Sequence, residues 1–98
     1  MPVLLDPEDT ETKALHDYAD FTGKRVLEIG CGDGRLTWRY ADRAAHILAI
    51  DPKAEDIESA FEDCPANLRH KIEFRAARLE ELNQPAAKFD LALLSWSL

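Results

Sequence analysis

Cysteine and histidine are few in this chain of 98 residues, and cationic side chains are outnumbered by acidic ones. The two cysteines, Cys31 and Cys64, form neither a metal-binding spacing nor a disulfide framework, and a reduced, cytoplasmic setting fits them best. His16, His46 and His70 share no ligand spacing, so no metal site is expected. No apolar run approaches the length that crosses a bilayer, so no membrane partner is expected. The opening "MPVLLDPEDTET" turns acidic after a few apolar residues, which is not the pattern of a secretory signal. Lysine and arginine number 12 against 19 acids, for a net charge of −7. A nucleic-acid partner needs a basic face, so this balance argues against one.

What is present is an ordinary globular composition, 46% hydrophobic and 32% charged. No repeat, low-complexity segment or linker divides the chain, so residues 1–98 read as a single domain. Residues 1–23 read as an N-terminal helical segment. Within "DPEDTETKALHDYADF", Asp6 suits the cap, Pro7 the first helical position, and the acids that follow the positive end of the dipole. Four short apolar runs read as strands: "KRVLEIG", "HILAID", "KIEFRAA" and "FDLALLS". Between them, "RLTWRYADRAA" and "PKAEDIESAFED" carry helical spacing. The second is expected to turn Ala54, Ile57 and Phe61 to one side. "RLEELNQPAAK" reads as a connection with one helical turn. Strands alternating with helices predict an α/β fold with a parallel sheet. Near-continuous apolar strands are those buried on both faces.

The stretch "VLEIGCGDGRLT", Val26 to Thr37, carries the chemistry. Gly30, Gly32 and Gly34 follow a strand and precede a helical pattern. Such a loop lets backbone approach a ligand closely and presents amides to a negative group. Asp51 closes the next strand at the distance where a carboxylate accepts hydrogen bonds from ribose hydroxyls. Together they describe a site for a nucleoside-containing cofactor. The dinucleotide fingerprint places its third small residue where this chain has Arg35. The register is instead E-x-G-x-G-x-G, with Glu28 leading. A dinucleotide oxidoreductase is therefore the weaker reading. Glu28 is costly to bury unpaired in a strand, which favours a functional role for it. Cys31, between two glycines, reads as a small side chain rather than a nucleophile.

With these motifs the chain resembles the class I S-adenosylmethionine-dependent methyltransferases. "VLEIGCGDGRLT" is similar to their first motif, "AIDP" to the second and "FDLALLSWSL" to that of the fourth strand. The resemblance implies a three-layer Rossmann-like sheet of about four strands in the order third, second, first, fourth, truncated relative to the family's seven-stranded fold. It implies an enzyme that uses S-adenosyl-L-methionine and releases S-adenosyl-L-homocysteine. Gly30, Cys31, Gly32 and Gly34 would form the floor under the methionine part. Glu28 would sit near its amino group, Asp51 on the ribose hydroxyls and Pro52 beside the adenine. Arg78 stands where the family often has an acid, so its backbone and that of Leu79 would meet the adenine instead. Ser95 and Trp96 would lie at the mouth of the site. "SWSL" lacks the "N-P-P-Y" type of motif used on nucleic acids, which points to a small-molecule acceptor. No catalytic residue is assigned. The alternative is a non-catalytic cofactor-binding or partner-assembly subunit. The fourth strand would be an apolar edge, expected to pair with another copy or partner, or to be covered by another element.

Overall fold

The computed structural model describes residues 3–6, 20–82 and 88–95. Its centre is a five-stranded sheet: β1 (Val3–Asp6), β2 (Arg25–Ile29), β3 (His46–Asp51), β4 (Ile72–Ala76) and β5 (Leu91–Ser95). The spatial order is β1-β5-β2-β3-β4 and every pairing is parallel. The four expected strands thus stand in the expected order. Val26 lies opposite Ile47 on one side and Leu91 on the other.

Alternate residues of these strands serve two apolar layers. Val26, Ile47, Ala49, Ile72, Leu91 and Leu93 face one way, where Phe21, Tyr40, Ala41, Ala44 and Leu68 cover them. Leu27, Leu48, Ile50 and Phe89 cluster on the other side. Burial on both faces is why the runs read as continuous apolar segments rather than alternating ones. The Phe21 and Tyr40 rings stack at 4.5 Å within the first layer.

The fourth expected strand, β5, is not an edge. Val3, Leu4 and Leu5 pair in register with Ala92, Leu93 and Leu94, so an element of the same chain covers it. The expectation that a second copy or partner pairs there gives way to this internal cover. Asp6, expected to cap a helix, is the last residue of β1. Residues 7–19, which hold most of the expected N-terminal helix, lie outside the described residues.

Two helical expectations are corrected. The α-helix expected over "RLTWRYADRAA" is a three-residue 3-10 helix, Thr37–Arg39, flanked by turns. Its hydrogen bonds mix the two spacings, Arg39 N to Leu36 O and Ala41 N to Thr37 O. A 3-10 turn eclipses residues three apart. Thr37 and Tyr40 are three apart, and both reach the same buried oxygen of Glu28. The second helix, α1 (Ala54–Asp63), forms as expected, but its buried residue is Ala60 and Phe61 is 57% exposed. The covered arc runs through Ile57, Ala60 and Cys64, one position round from the one expected. The Arg69 guanidinium lies over the outer Phe61 ring at 5.3 Å. The connection after β4 contains the expected single turn, Leu79–Glu81.

Candidate functional site

All five strands run the same way, so their carboxyl ends share one rim of the sheet. At that rim β2 gives way to the glycine loop. The amides of Gly30 and Cys31 both donate to Ile50 O of β3, at 2.8 and 3.0 Å, which folds the loop toward the end of β3. Asp51 is the last residue of β3. Its Oδ2 accepts the Gly32 amide at 3.0 Å and its Oδ1 the Lys53 amide at 2.9 Å. Its backbone oxygen accepts from Ala77, just beyond β4, at 3.0 Å. One residue therefore ties together the loop, the entry to α1 and the segment leading to Arg78. Asp51 does not cap α1 by side chain, since the cap residue is Lys53.

The glycines differ in what surrounds them. A Cβ on Gly32 would meet nothing within 4 Å, and φ there is +56°. Gly32 thus presents bare backbone to open space beside a carboxylate. Gly34, at φ +89°, is closed off: the Trp38 indole lies over it, and Trp38 packs edge-on against Phe74 of β4 at 5.9 Å. The sequence marked the two glycines alike. Only Gly32 has room for a ligand on its bare side.

Glu28 is fully buried, and its Oε1 accepts Thr37 Oγ1 at 2.7 Å and the Tyr40 hydroxyl at 2.6 Å. Thr37 and Tyr40 were not singled out by sequence. A Thr and a Tyr three apart reveal a carboxylate partner only once the turn brings them back onto β2. Cys31 is buried, and burial, reinforced by the Glu28 and Asp51 carboxylates, raises its thiol pKa far above the ordinary value. Both effects disfavour the thiolate, the form in which a cysteine reacts.

Of the remaining expected residues, Pro52, Arg78, Leu79 and Ser95 fall at or shortly past the carboxyl ends of β3, β4 and β5. Pro52 is exposed directly after Asp51. Arg78 is exposed, and its backbone amide donates to Glu81 Oε1 at 2.7 Å. Leu79 is 49% exposed. Ser95 ends β5, opposite Asp6 of β1. Trp96 lies outside the described residues. Among the described residues, no cluster of His, Cys, Asp and Glu could hold a metal ion.

A family model described as a methyltransferase domain matches residues 26–98. The mitochondrial ubiquinone biosynthesis O-methyltransferase of Rattus norvegicus is 35% identical over 89 residues, covering 87% of this chain and 26% of that protein. The magnesium-protoporphyrin O-methyltransferase of Rhodobacter capsulatus is 35% identical over 80 residues, covering 81% of this chain and 34% of that one. A solved structure of Haemonchus contortus phosphoethanolamine N-methyltransferase 1, in complex with phosphoethanolamine and S-adenosylhomocysteine, superposes with a TM-score of 0.70. It is 27% identical, and the match covers 84% of this chain and 17% of that one. The chain thus spans about a quarter to a third of the length of these two curated relatives.

Proposed function

The chain belongs to the class I S-adenosylmethionine-dependent methyltransferases, and from that premise we propose that it is the cofactor-binding part of an enzyme methylating a small molecule. The observation that carries the reading is the pairing of Gly32 with Asp51. Gly32 has open space where a side chain would stand, and the carboxylate beside it is already held by two backbone amides. Each carboxylate oxygen has lone pairs for a further donor, so Asp51 can accept ribose hydroxyls without releasing the loop. S-adenosylmethionine fits this donor set. When bound it supplies a methyl group already activated on a sulfonium sulfur.

What the residues of the chain contribute is binding and orientation. Asp51 fixes the ribose, and the loop from Gly30 to Gly34 supports the methionine part. Pro52 and the backbone of Arg78 and Leu79 flank the adenine, with Ser95 toward the acceptor. Transfer of an activated methyl depends mainly on alignment, so a rigid loop serves the chemistry directly. The names of both curated relatives support a small-molecule acceptor, with oxygen as the receiving atom. The free thiols of Cys31 and Cys64 support a reducing compartment such as the cytoplasm.

Calorimetric titration with S-adenosylmethionine and S-adenosylhomocysteine, with NAD as control, tests the reading. Saturable binding of the sulfur nucleosides is expected. The Asp51→Ala variant should bind about a hundredfold more weakly, since two hydrogen bonds to a charged acceptor are lost. A folded chain that binds neither nucleoside, or prefers NAD, overturns it.

A further inference from the structure

Glu28 has no surface for a ligand to touch. It stands on β2 two residues before Gly30, on the face that Tyr40 covers. Thr37 and Tyr40, whose hydroxyls it binds through Oε1, lie just past the other end of the glycine loop. The loop is thus pinned at both ends by one side chain. Inside it, Gly34 N donates to Cys31 O at 3.1 Å and Trp38 N to Gly34 O at 3.2 Å. Hydroxyl-to-carboxylate bonds of this length are the strong kind, and a buried carboxylate is costly to leave with fewer partners.

We infer that Glu28 is a positioning residue: through Thr37 and Tyr40 it holds the glycine loop in the form that keeps Gly32 open beside Asp51. This rests on the cofactor reading above, and it gives Glu28 an indirect part in place of contact with the methionine amino group. The clamp explains why the chain spends a buried carboxylate on β2, where an apolar residue would pack at less cost. The turn at Thr37–Arg39 places residues three apart on one side, which brings both hydroxyls to one oxygen.

The test uses Thr37→Val and Tyr40→Phe, which remove one hydroxyl each and keep the shape. Thr37→Ser, which keeps the hydroxyl, is the rescue variant. Two quantities are read: S-adenosylhomocysteine affinity, and hydrogen exchange at the Gly34 and Trp38 amides against Leu48 and Ile50 of β3. In Thr37→Val and Tyr40→Phe, affinity should fall about tenfold, and loop amides should exchange about tenfold faster, while the β3 amides hold their rates. Thr37→Ser should stay within about twofold of the parent in both. A uniform acceleration across loop and β3, with the affinity of the folded chain unchanged, means general stabilisation only and overturns the inference. If the parent chain binds no sulfur nucleoside, the cofactor reading fails by itself. The exchange pattern then still decides the clamp, local acceleration supporting it and uniform acceleration overturning it.

Discussion

A Cβ built on Gly34 would stand 2.5 Å from Cζ2 of the Trp38 indole. Two further indole atoms lie at 2.9 and 3.1 Å, so the ring as a whole stands in the way. Glycine is required here by a neighbour, whereas at Gly32 it is required by backbone conformation and leaves room outside.

The two positions should therefore respond differently to alanine. Gly34→Ala combines a left-handed backbone with a ring collision and should cost about 3 kcal/mol of stability in urea unfolding. Gly32→Ala carries only the backbone penalty, about 1 kcal/mol, but puts a methyl into the space proposed for the ligand. It should abolish S-adenosylhomocysteine binding while the chain stays folded. Equal stability losses at both positions would contradict this division.

Acid should weaken the sheet through Asp90. Its carboxylate accepts Arg25 Nε and an Arg25 terminal nitrogen, both at 3.2 Å, and the Arg25 amide at 2.9 Å. The Arg25 side chain first, and its backbone amide second, hold Asp90 down to about 2. A depressed folded value means the contribution is present above the unfolded value, about 3.9, and is lost as pH falls from there toward 2. Both groups are well exposed, so the effect is modest. Denaturation midpoints of the parent should exceed those of Asp90→Asn at pH 6, and the gap should close on approaching pH 2.

Removal of β1 should uncover β5. In the intact chain the amides of Ala92 to Leu94 should exchange slowly, because their strand lies between two others. A chain lacking its first six residues leaves a bare apolar edge and should associate as concentration rises. Sedimentation across a concentration series reads this directly. A monomer at every concentration, with those amides still slow, would show that β1 is not what protects them.

Both thiols should resist alkylation in the native chain. Burial raises each, Cys31 most strongly, with the Glu28 and Asp51 charges adding to its shift. Iodoacetamide at pH 8 should label neither until denaturant unfolds the domain, as mass spectrometry would record. Rapid labelling of Cys31 in the folded state would remove the burial assigned to it.

Much of this was legible in the residues alone. Val26 to Ile29 and Ile47 to Ile50 announce strands buried on both faces, and both are. Gly32 and Asp51, nineteen positions apart, were matched by motif and stand in contact through one hydrogen bond. The segment from Arg35 to Ala45 was misread because its apolar spacing is truly helical. Thr37 and Tyr40 instead meet a carboxylate on another element, a contact that local periodicity does not register. The strand Val3–Asp6 was missed because its residues neither alternate nor extend far. Its partner β5 lies at the other end of the described sequence. Phe61 failed by one helical position, within the angular width of the apolar arc it was assigned to.

The pairing of β1 with β5 also bears on how the fold is reached. The first described strand can dock only after the last has formed, because β5 is the surface it adds to. Val3 pairs with Ala92, so β1 has no strand to add to until the segment carrying β5 is present. Contacts between segments so distant in sequence are slow to close. Closure of the β1–β5 pair should therefore be among the slower steps by which the sheet is completed.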